Sequence, residues 1–325
     1  MAILVTGGAG FIGSVTVEAL VKSGEDVVVL DNLSRGFRKA VNDSIPFYKA
    51  DISDAETLGK IFSEHEIDAC IHFAAYAYVG ESVTEPRIYF QNNAVGSINF
   101  FDILIENNIK NVVFSSTCAT YGEPVEIPIN ESHPQNPANP YGWTKFILER
   151  QLEAYDDAYG LKHVALRYFN AAGATENRGE LHDPEPHILP NIIFAAMGKK
   201  SLKIFGNDYP TIDGTCVRDY IHVADLADAH IKAVNHLRNG GDSEKINLGN
   251  GHGYSVLQCI EAAEKVTGKT IEYELQERRA GDPSHLVADA SKAHELLGWK
   301  PQFPSIEQII QSAWDFFESH PNGYE

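Results

Sequence analysis

The feature that most constrains the fold of this chain is an alternation of short apolar runs with helix-length amphipathic stretches through its first half. Near-continuous apolar strands that alternate with helices indicate a parallel sheet covered by helices on both faces. The predicted strands are residues 3–6, 27–30, 47–49, 69–73, 112–115 and 164–167, and the predicted helices are residues 11–22, 55–65, 97–107 and 141–159. The sequence therefore predicts an α/β fold built on a doubly wound parallel sheet.

A glycine-rich segment, GGAGFIG at residues 7–13, joins the first predicted strand to the first predicted helix. Glycine at such a turn lets the backbone approach a pyrophosphate that sits at the helix N-terminus. A glycine-rich turn alone is a weak signal, but the strand before it and the helix after it meet the requirement for a dinucleotide site. We therefore predict dinucleotide contacts from Gly7, Gly10, Phe11, Ile12 and Gly13.

Asp31 ends the second predicted strand and favours NAD over NADP, because a carboxylate there binds ribose hydroxyls and repels a 2′-phosphate. Arg35 leaves NADP open as an alternative, although a solvated loop charge is the simpler interpretation. Asp51 has two interpretations of equal weight, a contact with the adenine edge or the N-cap of the helix that starts at residue 55. The other predicted cofactor contacts at the strand ends are Asn32, Ile52, Phe73, Ala74 and Ala75.

The regular alternation of apolar runs and amphipathic stretches ends after residue 169. Residues 170–190 are rich in Gly, Pro, Asn and acidic side chains and are predicted to form one long functional loop. Shorter strands and helices follow, with breaks near residues 206–214 and 249–253. We expect residues 1–169 to form the dinucleotide domain and residues 170–325 to form most of a smaller, intertwined α/β substrate lobe, with a soft boundary.

Composition excludes several classes of partner. The formal net charge of -19 would repel nucleic acid and anionic membranes. No apolar run approaches the roughly 20 residues that span a bilayer, and no basic and apolar leader opens the chain. The four cysteines never form CxxC, which favours reduced, mostly buried thiols over disulfides or a metal site. We expect a cytoplasmic protein that holds no metal.

Tyr141 and Lys145 form a YxxxK pattern at the start of a predicted helix. Residues four apart share a helix face, so the phenol and the ammonium project together. The pKa of a free tyrosine is near 10, and a nearby lysine and a positive nicotinamide ring would both lower it. YxxxK is common by chance, and its competing interpretation is an unremarkable surface pair.

A second polar segment, FSST at residues 114–117, ends the fifth predicted strand and faces the same crevice. A hydroxyl at this strand end can hydrogen-bond the oxygen that loses its proton. Thr117 is the predicted catalytic hydroxyl, and the alternative roles of Ser115 and Ser116 are in backbone contacts or packing.

Together, GGAGFIG, FSST and YGWTK are similar to the extended short-chain dehydrogenase/reductase family. Finer segments narrow the resemblance to the UDP-glucose 4-epimerases of that family and are spread over almost the whole chain. They are DNL at residues 31–33, VGES at 79–82, RYFN at 167–170, FGNDY at 205–209 and VRDYIH at 217–222. As a set these segments are highly specific.

The resemblance implies a Rossmann-type sheet with tightly held NAD, and interconversion of UDP-galactose and UDP-glucose by transient oxidation at sugar C4 and non-stereospecific hydride return. Tyr141 would take the proton of the 4-hydroxyl, Lys145 would hold the cofactor ribose and lower the tyrosine pKa, and Thr117 would assist. Further implied cofactor contacts are Asn92, Ser115 and Tyr168. The resemblance also implies a homodimer through helices 97–107 and 141–159.

The same resemblance assigns the UDP-sugar site to Thr117, Tyr141, Asn170, Ile188, Leu189, Lys203, Phe205, Arg218, Arg279 and Asp282. Two arginines suit a diphosphate because each guanidinium offers paired donors to phosphate oxygens. The alternative for each arginine alone is a surface salt bridge. Arg279 is preferred to its neighbour Arg278, and Asp282 would bind the uridine ribose.

Three positions depart from the pattern of this group. Ala77 replaces a lysine that reaches the cofactor pyrophosphate in many relatives, His187 replaces an asparagine, and Leu286 stands where residues of different bulk control access for an N-acetyl group. An epimerase for UDP-N-acetylglucosamine or a UDP-pentose is therefore the alternative activity, and an NAD-binding sensor of the same fold is the non-enzyme alternative. A 4,6-dehydratase is disfavoured because no acid directly follows Thr117.

Overall fold

A computed structural model describes residues 1–279 and 282–324 of the chain. Its strands are β1 (Ala2–Thr6), β2 (Asp26–Leu30), β3 (Phe47–Tyr48), β4 (Ile67–His72), β5 (Asn111–Thr117), β6 (Lys162–Tyr168), β7 (Asn170–Ala172), β8 (Leu202–Phe205), β9 (Val217–His222), β10 (Glu244–Leu248), β11 (Gly253–Ser255), β12 (Tyr273–Gln276) and β13 (His285–Leu286). Its α-helices are α1 (Phe11–Lys22), α2 (Ala55–Glu64), α3 (Val79–Thr84), α4 (Pro86–Tyr89), α5 (Gly96–Glu106), α6 (Pro140–Tyr159), α7 (Ile188–Ala196), α8 (Val223–Arg238), α9 (Val256–Thr267), α10 (Ser291–Leu297) and α11 (Ile306–Ser319).

The largest sheet has seven parallel strands in the order β10-β6-β5-β4-β1-β2-β3, which confirms the predicted doubly wound sheet. Thr6 at the end of β1 lies opposite Leu30 of β2 and His72 of β4, so the carboxyl ends of these strands share one edge. The direction of winding reverses between β1 and β4. A ligand crevice opens at such a switch point.

Alternate side chains of each strand pack on opposite faces of this sheet. Ile3 of β1 belongs to a fully buried layer with Leu20 of α1 and Leu226 of α8. Its neighbour Leu4 belongs to the opposite layer, with Phe100 of α5 and residues of α2 and α6. Burial of both faces explains why the strands are almost continuously apolar in sequence.

The smaller lobe is built on a sheet in which β9 pairs with β7, β11 and β13, and on the pair β12-β8. Helices α7, α9 and α11 form its core, with Ile192, Ile260 and Ile310 buried together. The chain then returns to the large sheet, where β10 pairs with β6 and Ile246 lies opposite Leu166. Within the described residues, no helix combines the length and apolarity that a membrane crossing needs.

Three local predictions differ from the structure. Residues 170–190 do not form one loop, because β7 pairs with the distant strand β9 and α7 already begins at Ile188. The helix predicted from residue 97 extends back to Pro86 through α4 and a π-helical turn (Phe90–Val95). The N-cap of α2 is Asp54, whose side chain accepts a hydrogen bond from the backbone of Thr57, so the N-cap interpretation of Asp51 is wrong.

Candidate active site

A cavity of about 810 Å³ runs along the carboxyl ends of the large sheet and continues into the smaller lobe. Every residue that the sequence assigned to a site lines it. Towards the large sheet these are Gly7, Gly10, Phe11, Ile12, Gly13, Asp31, Asn32, Asp51, Ile52, Phe73, Ala74, Ala75, Asn92, Ser115, Thr117, Tyr141, Lys145 and Tyr168. Towards the smaller lobe they are Asn170, Ile188, Leu189, Lys203, Phe205, Arg218, Arg279 and Asp282.

The glycines of the 7–13 turn serve two different needs. Gly7 has a φ of +71°, and a Cβ there would lie 2.6 Å from the backbone nitrogen of Ala74. A Cβ on Gly13 would lie 2.2 Å from the carbonyl oxygen of Gly7. At Gly10 a Cβ would meet only that same carbonyl, at 3.4 Å, and Gly10 lines the cavity. Packing of the protein therefore requires glycine at positions 7 and 13, whereas at position 10 the open space lies on the ligand side.

Helix α1 begins at this turn with Gly10 as its N-cap, without a side-chain cap and without an acidic residue in its first turn. The first backbone N–H groups of a helix have no intrahelical acceptor and attract anions. A side-chain-free cradle at a helix N-terminus fits the pyrophosphate of a dinucleotide.

Asp31 is buried beside this turn and connects it to β2. Its Oδ2 accepts a hydrogen bond from the Ala9 backbone at 2.9 Å, and its Oδ1 accepts one from the Leu33 backbone at 2.8 Å. Burial raises the pKa of Asp31, and these two hydrogen bonds oppose the increase. The carboxylate is thus held at the cavity wall before any ligand binds.

Arg35 is not the solvated loop charge that the sequence suggested. Its guanidinium donates to both carboxylate oxygens of Glu81, at 2.8 and 2.7 Å. It also lies 4.7 Å from the ring centroid of Tyr76 and 4.4 Å from that of Tyr78. Because this cation is already paired and stacked, the NADP alternative loses its expected 2′-phosphate partner.

Tyr141 occupies the first turn of α6, which starts at Pro140 and is capped by Asn139. The Asn139 side chain accepts a hydrogen bond from the Gly142 backbone at 2.9 Å. Thr117, the last residue of β5, lies beside the phenol, and its hydroxyl lowers the pKa of Tyr141. Burial is the larger effect and raises the pKa of Tyr141 to about 12. The phenol is therefore protonated at neutral pH in this environment.

Lys145 lies one turn further along α6 and is fully enclosed. Its Nζ donates to the carbonyl oxygen of Ser115 at 2.7 Å and lies 4.9 Å from the ring centroid of Phe114. Burial lowers the pKa of Lys145 to about 7. The pKa of Tyr141 is set here by burial, by the Thr117 hydroxyl and by Cys118. Lys145 is not among these causes, so the predicted lowering of the tyrosine pKa by Lys145 stays a prediction.

A buried ion pair behind these residues was missed by sequence reasoning. Arg167 donates to both carboxylate oxygens of Glu149, at 2.9 and 2.6 Å, and both side chains are at most 1% exposed. Ser116 donates to Glu149 at 2.5 Å, and Gln135 donates to it at 2.9 Å. Ser115 hydrogen-bonds Tyr168. The pair joins α6 to β6. Neither residue stands out in the sequence, because the role of each depends on a partner in a different element.

The two neighbouring asparagines of the π-helical turn, Asn92 and Asn93, have different positions and contacts. Asn92 lines the cavity, and its amide donates to Asn93 at 2.9 Å. Asn93 is buried and holds both backbone groups of Tyr76, accepting from its N–H at 2.8 Å and donating to its carbonyl at 2.9 Å. Asn93 thereby fixes the cavity wall, a role that the sequence did not indicate.

The predicted UDP-binding residues cluster at the other end of the cavity. Arg218 and Asp282 form an ion pair with each other. The Arg279 guanidinium lies 4.0 Å from the ring centroid of Phe205. Arg278 is instead paired with Asp208 at 2.5 Å and does not line the cavity, so Arg279 is the member of this pair of arginines that does. Arg218 and Arg279 thus reach this end of the cavity and could bind an anionic substrate group.

The three atypical positions also lie at the cavity. Ala77 is exposed and lines the cavity. Leu286 is 8% exposed and packs in an apolar cluster with Cys118 and Phe169. His187 is the N-cap of α7 and contacts two buried glutamates.

Comparison with known proteins agrees with this geometry. The model of the NAD dependent epimerase/dehydratase family matches residues 3–249. The chain is 51% identical to a UDP-glucose 4-epimerase of Halalkalibacterium halodurans over 327 residues, which cover 100% of this chain and 98% of the relative.

Two crystal structures are similar over nearly their full length. One is UDP-glucose 4-epimerase from Brucella ovis in complex with NAD, with a TM-score of 0.94, 46% identity, and coverage of 97% of this chain and 98% of that one. The other is UDP-glucose 4-epimerase from Bifidobacterium longum in complex with NAD+ and UDP, with a TM-score of 0.95, 38% identity, and coverage of 99% and 100%. The resemblance inferred from the motifs is confirmed, and the chain belongs to the NAD dependent epimerase/dehydratase family.

Proposed function

We propose that this chain interconverts UDP-galactose and UDP-glucose by inverting the hydroxyl at sugar C4. The observation that carries the proposal is that one cavity joins the side-chain-free cradle of the glycine-rich turn, the Tyr141–Thr117 pair and the arginines Arg218 and Arg279. These are the parts that a nucleotide-sugar redox site needs: a cofactor cradle, a proton-transfer group and cations for a diphosphate.

NAD is the cofactor, and the residues present fit it. The backbone at Gly7, Gly10 and Gly13 would hold the pyrophosphate, Asp31 the adenosine ribose, and Lys145 the second ribose. When bound, NAD supplies reversible two-electron oxidation at the substrate carbon. Asp31 must then share its carboxylate between ribose hydroxyls and the backbone N–H groups that it binds here.

Tyr141 would move the proton at the sugar 4-hydroxyl. A pKa near 12 makes the phenol a poor base by itself, so positive charge brought close to it must stabilise the phenolate. Lys145 is enclosed one turn away and bound to the Ser115 carbonyl, so its charge sits in a low-dielectric wall. Thr117 would relay the proton by donating its own hydroxyl proton to the Tyr141 phenolate while its oxygen accepts the proton of the sugar 4-hydroxyl.

The substrate nucleotide would lie between Phe205 and the ion pair of Arg218 and Asp282. Arg218 would turn its free donors to the diphosphate, while Asp282 would accept hydrogen bonds from the uridine ribose. Arg279 stacks on Phe205 with its guanidinium edge available for phosphate oxygens. Ile188 and Leu189 begin α7 at the cavity and would contact the uracil ring.

We also propose that the active form is a homodimer formed through α5 and α6. Trp143 and Ile147 are 41% and 36% exposed and lie one turn apart on α6. Large apolar side chains that share an exposed helix face are typical of an interaction surface. The two helices pack against each other, with Tyr155 donating to Asp102 at 2.5 Å, so they present one continuous surface.

Incubation of the purified protein with UDP-galactose, UDP-N-acetylgalactosamine and UDP-arabinose, with the products resolved by chromatography, tests the proposal. We expect UDP-glucose from the first substrate at a higher kcat/KM than for the other two. Preference for the N-acetylated sugar would assign the alternative substrate, with the side chain of Leu286 leaving space for the acetyl group. No conversion of any of the three would refute the proposed activity.

A further inference from the structure

Four side chains with metal-binding atoms converge at the edge of the cavity, on the segment between β7 and α7. They are Glu180, His182, Glu185 and His187, and one ligand atom of each lies within 4.8 Å of the others. We call them the His–Glu cluster. It lies outside the proton-transfer group described above, and the function proposed for the cavity does not use it.

The two carboxylates of the cluster are buried without a permanent cation. Glu180 is 5% exposed and Glu185 is 9% exposed. Among the described residues, the side-chain cations within 4 Å of either carboxylate are the two histidines and no lysine or arginine. Buried charge is costly unless it is neutralised. Two carboxylates are neutralised equally well by two protonated histidines or by one divalent cation between two neutral histidines.

The geometry distinguishes these two states. The Nδ1 atom of His187 lies 2.7 Å from Glu180 Oε1 and 2.9 Å from Glu185 Oε1. The Nδ1 atom of His182 lies 3.3 Å from Glu180 Oε1 and 3.3 Å from Glu185 Oε2. Each Nδ1 carries at most one proton, so two protons face four nitrogen–oxygen approaches. Within the described residues no backbone N–H donates to Glu180, so its buried carboxylate depends on the two imidazole nitrogens alone.

One central cation would satisfy all four groups at once. Zinc binds imidazole nitrogen and carboxylate oxygen at about 2.0–2.2 Å, which sets the edges of a tetrahedral site at roughly 3.3–3.5 Å. Both separations to Glu180, 2.7 and 3.3 Å, end on its Oε1 and approach these edges from below. The two separations to Glu185, 2.9 and 3.3 Å, end on its two different oxygens, one of which would serve as the ligand. A small outward movement of the side chains would admit the ion.

From this arrangement we propose that the His–Glu cluster binds a structural Zn²⁺ ion through the two Nδ1 atoms and one oxygen of each carboxylate, contrary to the expectation of a metal-free chain. Four protein ligands leave no open position, which is the pattern of a structural rather than a catalytic zinc site. Tyr78 packs edge-on against both rings, at 5.4 and 6.1 Å, and supplies an aromatic shell.

The position of the cluster gives the ion a function. His187 is the N-cap of α7, and the next two residues, Ile188 and Leu189, line the substrate end of the cavity. Tyr78 joins the cluster to Arg35, because its ring packs on both imidazoles and also lies against the Arg35 guanidinium. A bound ion would therefore fix the segment 180–187 and the start of α7 against the cofactor side of the cavity. The ion takes no part in the chemistry.

The first test is metal content, measured by mass spectrometry on the full chain after removal of any affinity tag. We expect one zinc per chain in the wild type and in His294→Gln, whose histidine is exposed on α10 and serves as a matched control. Loss of a direct ligand in His182→Gln or Glu185→Gln should weaken zinc binding by more than the roughly 10–100-fold that loss of an outer partner costs.

Cobalt substitution gives a readout that does not depend on activity or on the stability of the variants. Replacement of the ion by Co²⁺ in the wild-type chain should produce the intense visible bands of tetrahedral coordination, and a chelator should remove both the bands and several degrees of thermal stability. A wild-type chain that binds neither stoichiometric zinc nor cobalt would overturn the proposal in favour of the protonated ion-pair network. Equal zinc content in His182→Gln and the wild type would overturn it as well.

Discussion

At the scale of single residues, Gly10 and Gly13 separate the requirements of ligand binding from those of packing. A side chain at position 13 would overlap the Gly7 carbonyl, whereas at position 10 it would meet ordinary contact distances within the protein and point into the cavity. The two glycines therefore meet different physical requirements, and substitutions at the two positions should have different effects.

Gly10→Ala and Gly13→Ala provide that comparison. We expect Gly10→Ala to keep the wild-type midpoint of thermal unfolding and to lose at least about tenfold in NAD affinity, equivalent to ~1.4 kcal/mol. Gly13→Ala should lower the free energy of unfolding by at least about 1–3 kcal/mol through overpacking. Calorimetry of the NAD-free protein and titration with NAD measure both quantities. The same stability loss in both variants would contradict the distinction.

Lys145 makes the stability of the chain depend on pH. Burial lowers its pKa in the folded state to about 7 from 10.5, so between these values the unfolded chain binds more protons than the folded one. Its contribution is therefore destabilising below pH 7 and disappears as the pH rises towards 10.5. Lys145→Met removes this contribution.

Lys145→Met should be more stable than the wild type at pH 7, and this advantage should shrink as the pH rises. We expect the difference in the free energy of unfolding to fall by up to about 1.4 kcal/mol per pH unit between pH 7 and 10. Denaturant titrations of the NAD-free proteins at several pH values measure it. A difference that does not change with pH would show that Lys145 is not buried as an ionisable group.

At the scale of elements, helix α6 is held to the large sheet by the Glu149–Arg167 pair. This pair lies directly behind the turn that carries Lys145, so its geometry sets where α6 presents the face with Tyr141 and Lys145. Replacing one partner leaves the other charge buried and unpaired, which lowers the free energy of unfolding more than replacing both partners does.

Arg167→Met and Glu149→Leu should each lower the free energy of unfolding by about 3–5 kcal/mol. The double variant should lose clearly less than the sum of the two, because neither charge remains unpaired. The exposed pair Arg150–Glu153 on the same helix is a matched control, and Arg150→Met should cost less than about 1 kcal/mol. Urea unfolding measures all four variants. Strict additivity of the two single effects would argue against a coupled pair.

The sequence predicted those elements whose signals are local. The strand-turn-helix at residues 2–22 and the pairing of Tyr141 with Lys145 follow from periodicity and spacing over a few residues. Asn93 was missed because the π-helical turn adds a residue to the helix and changes which asparagine faces the wall. The partners of Glu149 and the pairing of β7 with β9 depend on contacts between distant segments, which no local pattern shows.

At the scale of the whole molecule, the chain leaves the large sheet after β6, builds the smaller lobe and returns as β10 before it leaves again. The cavity therefore has one wall from each part, and the His–Glu cluster lies on the connecting segment. The convergence of the predicted residues on one cavity could be expected because strand ends of a parallel sheet meet at one edge. The His–Glu cluster was not predicted, because its four side chains come together only in the conformation that residues 180–187 adopt in the fold.

Dimer formation belongs to this scale. Trp143→Glu should convert the dimer to a monomer in size-exclusion chromatography with light scattering, because a charge would be buried on the shared face of α6. Val125→Glu is the control, since Val125 is 79% exposed on a loop, and that variant should stay dimeric. A wild-type chain that is monomeric at all concentrations tested, or a Trp143→Glu variant that remains dimeric, would contradict the proposed interface.

The central claim is that Tyr141 moves the proton during inversion at C4, and Tyr141→Phe tests it most directly. The measurement combines kcat for conversion of UDP-galactose to UDP-glucose with the NAD content of the same preparation. Removal of the hydroxyl should lower kcat by at least about 100-fold, with as much NAD per chain as in the wild type. Near-wild-type kcat in a variant with full NAD content would contradict the account.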